Sequence, residues 1–129
     1  MPLLRAAALL VATTILAGCA VLTTDGERLA LTSPEFRAYV ERVFREQNRV
    51  ADQFAFALED ERGVPTGVSA AEQSLLDACA ALNELATARR DEQHLSLRQR
   101  SAAARSVPMC ERTMRASVAT LDAWRAARR

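Results

Sequence analysis

Three cysteines, one histidine and scattered carboxylates are the residues of this 129-residue chain whose types could do chemistry, and their spacing decides which chemistry is open. His94 follows Asp91 by three positions, an acidic-x-x-His spacing that would put both on one side of a helix. A di-iron centre in a helical bundle needs two such motifs and further carboxylates, which a single histidine cannot supply. A Ser-His-Asp arrangement would have to route its base through the same His94. Attachment of c-type haem needs Cys-x-x-Cys-His and a phosphate cradle needs a glycine-rich loop; the sequence has neither. The acidic run Glu59-Asp60-Glu61 lacks the spaced oxygen ligands of a calcium loop and reads as a solvated helix end. The inventory therefore predicts no catalysis, no metal and no cofactor.

Cys19 has a different setting. Met1 to Arg5 is a short basic opening, Ala6 to Ile15 is apolar, and Leu16-Ala17-Gly18 is a small-residue approach to the cysteine, which together make signal-peptide anatomy. A spanning helix needs roughly 20 apolar residues, and this stretch is interrupted by Thr13, Thr14 and the Gly18-Cys19 pair. The tetrapeptide Leu16-Ala17-Gly18-Cys19 resembles the lipobox of bacterial lipoproteins, a resemblance confined to residues 1–20. It implies that the Cys19 thiol carries a diacylglycerol, that residues 1–18 are removed, and that the new amino group is acylated, with palmitate as the typical chain. Several acyl chains, at about 0.8 kcal/mol per buried methylene, hold a protein on a membrane without any spanning segment. Ala20 after the cysteine, in place of aspartate, resembles the pattern sent to the outer membrane, so the expected location is the cell envelope, facing the periplasm.

The mature chain then divides into the lipidated cysteine with a tether, residues 19–32, and a helical domain, residues 33–129. Ala20 to Thr32 has mixed polarity and no period, and fully extended its 13 residues reach at most roughly 45 Å. Ser33, Pro34 and Glu35 suit the cap and first turn of a helix. Behind them Phe36, Tyr39, Val40, Val43, Val50, Ala51, Phe54 and Leu58 share one face, with Gln47 at its centre as a core polar group or a helix–helix contact. Gly63 and Pro65 should stop this helix near residue 61 or 62. Ser69-Ala70-Ala71-Glu72 has the form of a capping box for a second helix, whose inner face is Leu75, Ala78, Cys79, Leu82, Leu85 and Ala86. Ser96-Leu97-Arg98-Gln99 is a second such box, and Pro108 should break or kink the C-terminal region into a helix near 97–105 and another near 107–127. On the last, Cys110, Met114, Ser117, Leu121 and Trp124 align, and no strand-like alternation is evident anywhere.

With Cys19 lipidated, Cys79 and Cys110 remain, and in an exported domain of this size such a pair reads as a disulfide. Both lie on inward faces, and their midpoint falls at the turn near His94. The expected fold is all-α: a small three- or four-helix bundle whose antiparallel hairpin is stapled by one disulfide. Seventeen arginines and no lysine stand against sixteen acids, a near-neutral balance that gives no argument for nucleic acid. The charge is uneven, because residues 94–129 hold eight arginines and two acids, either paired with the acidic helices or facing an anionic partner. Phe56 falls on an otherwise polar face between Arg45 and Arg49, a candidate partner contact. The expectation is a membrane-tethered adaptor or accessory protein that holds an envelope protein partner. The alternative is a structural lipoprotein that self-associates through its first helix.

Overall fold

The computed structural model describes residues 20–59 and 63–129; the signal-peptide segment, Cys19 and residues 60–62 of the acidic stretch lie outside the described residues. The element order is β1 (Ala20–Leu22), β2 (Arg28–Ala30), α1 (Pro34–Glu59), α2 (Thr66–Arg90) and α3 (Leu97–Ala126). The fold is a small all-α one of three helices, with α2 and α3 forming the most extensive pair and α1 laid across both. Cys79 and Cys110 are joined, their Cα atoms 4.7 Å apart, so the staple links α2 to α3 as the sequence suggests. Phe54, Leu75, Leu82, Val43, Val107 and Leu121 form the centre of the core, all essentially without solvent contact.

Two of the three helix starts agree with the sequence signals. The Ser33 hydroxyl accepts from the Phe36 amide at 3.0 Å and donates to the Ala30 carbonyl at 2.8 Å. Ser96 and Gln99 make a reciprocal capping box, with the Gln99 amide donating to Ser96 Oγ and the Ser96 amide to Gln99 Oε1. The second start differs from expectation. Pro65, at φ −60° and ψ 141°, caps α2 without a side-chain bond, and its carbonyl accepts from Val68 and Ser69, so Ser69 lies inside the first turn. Val68 is buried, and packing this apolar residue accompanies a cap four positions ahead of Ser69.

Pro108 does not divide the last helix either, for α3 runs unbroken through it. Pro108 cannot donate to the Ala104 carbonyl, but it is buried between core residue Val107 and the bridged Cys110. Packing on both sides thus outweighs one lost helical hydrogen bond. Just before it, the Ser106 hydroxyl donates to the Ala103 carbonyl at 2.7 Å.

The largest correction concerns residues 20–32, which are not a tether. They form an antiparallel hairpin with Ala20 opposite Ala30, Val21 opposite Leu29 and Leu22 opposite Arg28. Its turn places Gly26 at φ +85°, where a side chain would be strained, with the Gly26 amide donating to the Thr23 carbonyl and the Thr23 amide to Glu27. Val21, Thr23 and Leu29 are buried, and the hairpin docks on α1 and α3. The folded body therefore includes the residues from Ala20 on and not only those from Ser33.

Candidate functional site

The small side chains of Ala103 and Ala104 in the first turns of α3 face an end of the bundle where α1 also begins and α2 ends. Alanines there cannot fill the space between α1 and α2, and a groove of about 410 Å³ results. Its floor is apolar, with Phe36 and Val40 from α1, Leu82 and Leu85 from α2, and Ala104 and Val107 from α3. Leu31, directly after the hairpin, and the exposed Leu97 edge it. Three guanidinium groups stand on the rim: Arg37 in the first turn of α1, Arg89 in the last turn of α2 and Arg100 in the first turn of α3. Glu41 is the one carboxylate among the lining residues. None of the three arginine side chains has an ion pair or hydrogen bond among the described residues. A concave apolar floor of this size with a few convergent polar groups is the usual form of a small-molecule site.

On the side of α1 away from the groove the proposed partner residues share a helical phase, but Arg49 and Arg45 lie about two and three turns before Phe56. Phe56 is 73% exposed, so the loop after α1 does not cover it, and Arg45 and Arg49 are exposed on the same helix. The loop between α2 and α3 carries His94 exposed, with Asp91 as the C-cap residue. No group of three or more His, Cys, Asp or Glu side chains able to hold a metal occurs among the described residues. No helix among them is long and apolar enough to cross a membrane.

The residue that the sequence does not announce is Glu111. It is wholly buried on α3, one position after Cys110. Its Oε2 accepts from the Tyr39 hydroxyl at 2.7 Å and from the Thr24 hydroxyl at 2.8 Å. Its Oε1 accepts from Arg42 at 3.0 Å and from Arg115 at 2.7 Å. Burial alone pushes its carboxyl upward, but the hydrogen bonds from Tyr39, Thr24 and Arg42 and the charge of Arg42 outweigh it and hold the carboxyl below its usual range. Burial, together with the hydrogen bond to Glu111 and its charge, raises the Tyr39 phenol. Arg42 also lies over the Tyr39 ring, 5.3 Å from its centroid. The cluster ties the hairpin, α1 and α3 at one point, and every partner it needs is present. Gln47 is a similar node on a smaller scale, donating to Asn83 on α2 at 2.7 Å. Comparison of the chain with protein-family models, with curated proteins and with solved structures finds no match in any of the three.

Proposed function

We propose that this chain is a lipid-anchored binding protein of a bacterial envelope, attached through Cys19 and acting as an adaptor or accessory that holds a partner close to the membrane. The observation that carries the reading is the hairpin. Ala20, the residue next to the lipobox cysteine, already pairs with Ala30. A lipid on Cys19 would then hold the folded body against the bilayer with no intervening tether, within reach of neighbours in the same membrane. The partner surface is the face of α1 carrying Phe56 between Arg45 and Arg49, an exposed aromatic with a charged rim. The same exposed ring supports a second reading, in which two copies associate through α1.

Phe56→Ala tests both. The side chain is solvent-exposed, so the variant should melt within about 0.5 kcal/mol of the parent while losing its cross-linked envelope partner. Sedimentation of the purified protein separates the readings: a monomer that loses a distinct partner supports the adaptor, and a dimer that becomes a monomer supports self-association. A large drop in melting temperature would show that Phe56 packs, and would remove this surface from the account.

A further inference from the structure

We propose that the groove at the start of α1 and α3 binds a fatty-acid anion: a single acyl chain along the apolar floor, its carboxylate held by Arg37, Arg89 and Arg100. The inference deepens the binding reading above and rests on it. Volume sets the class of ligand. A methylene is comparable in size to a liquid water, whose share of volume is about 30 Å³, so 410 Å³ admits a chain on the order of a dozen carbons. The floor offers that chain aliphatic and aromatic side chains, Leu82, Leu85, Val40 and Phe36 among them, and no charge below the rim.

Charge complementarity sets the headgroup. Three guanidinium groups against the single carboxylate of Glu41 leave the rim with a positive excess, and a guanidinium fork matches a carboxylate in a bidentate geometry. The N-terminal ends of α1 and α3 open at the same rim and add positive potential. The C-terminus of α2 opposes them there, but Arg89 and Arg90 occupy its last turn. Arginines in the first or last turns of three different helices, with no ion pair to one another's helices among the described residues, are placed to meet an anion that the chain does not itself supply. The groove is also edged by Leu31, one residue beyond the Ala30 that pairs with Ala20, so it adjoins the open end of the hairpin.

The test uses full-length protein taken from membranes into phosphatidylcholine nanodiscs, with photoactivatable dodecanoate and dodecanol as probes. On irradiation dodecanoate should label segments 82–89 and 97–107, and dodecanol should label them about tenfold less, the loss expected when charge-assisted hydrogen bonds are absent. Arg37→Gln with Arg100→Gln should bring dodecanoate down to the level of dodecanol without moving the melting temperature, since both side chains are exposed. Ala104→Phe should remove both labels by filling the floor. Equal labelling by the two probes, or labelling spread outside the groove, would overturn the proposal. Labelling that appears only in a Cys19→Ala chain would overturn it as well, because the protein's own lipid would then be the occupant. A chain with no lipid on Cys19 would still give the dodecanoate pattern, and a protein that ignores dodecanoate would still lose its partner on Phe56→Ala, so the two failures are distinguishable.

Discussion

A buried glutamate is tolerated only where its charge is met on all sides, and Glu111 shows how closely that condition binds distant parts of the chain. Two neutral hydroxyls and two guanidinium groups converge on it, from the hairpin, from α1 and from its own helix. Replacing it with leucine would leave the Tyr39 hydroxyl without its acceptor and release the hairpin, at a cost of about 3 kcal/mol. The pH dependence has a fixed sign. A carboxyl depressed in the folded state stabilises in full above its unfolded value, near 4.3, and the contribution is lost as pH falls through the folded value. Melting temperature of the parent should therefore fall on acidification below about pH 4, and Glu111→Gln should flatten that limb while melting lower at neutral pH. An unchanged acid limb in the variant would show that other carboxylates govern it. None of this was legible in the sequence, because three of the four partners lie 69 to 87 residues away and a glutamate beside a cysteine has no local signature. Phe56, by contrast, could be placed on an exposed face by counting alone, since helical phase is a local property.

At the scale of elements, the helical regions were readable because each buries an apolar stripe and two begin at serine caps that need no tertiary help, although the continuity of α3 through Pro108 was not. The hairpin was not, for its strands are three residues each, too short to show alternation. The signal that could have found it is Asp25-Gly26 between Val21 and Leu29, a turn dipeptide flanked by apolar residues. The end of α2 offers a stability test. Glu92 sits at φ 53°, in the left-handed region, and the Gln93 and Glu92 amides close the helix onto Ala88 and Arg89. Glu92→Gly should stabilise the domain by about 1 kcal/mol, read as a higher midpoint in urea; a lower midpoint would show that the loop tolerates the glutamate without strain. The disulfide gives the larger effect. It closes a loop over a separation of 31 residues, for which the chain-entropy account predicts about 3 to 4 kcal/mol. Cys79→Ser with Cys110→Ser should accordingly lower the melting temperature by well over 10 °C, at about 4 to 8 °C per kcal/mol for a domain of this length. A drop of only a few degrees would mean that α2 and α3 hold together by packing alone.

For the whole molecule, the hairpin changes what an anchor on Cys19 would mean. A tether of residues 20–32 would have let the domain range over tens of ångströms, whereas a body folded from Ala20 onward has no such freedom. The groove adjoins the open end of the hairpin, where Ala20 pairs with Ala30, while Phe56, Arg45 and Arg49 are exposed on α1. Lipidation of Cys19 is the point on which the proposed function turns. Mass spectrometry of the N-terminal peptide of protein purified from the envelope reads it directly. The account predicts a peptide that starts at Cys19 and carries diacylglycerol plus an amide-linked acyl chain, with labelled fatty acid entering the parent and not Cys19→Ala. A peptide that starts at Met1, or an unmodified Cys19 with equal label in both proteins, would contradict it.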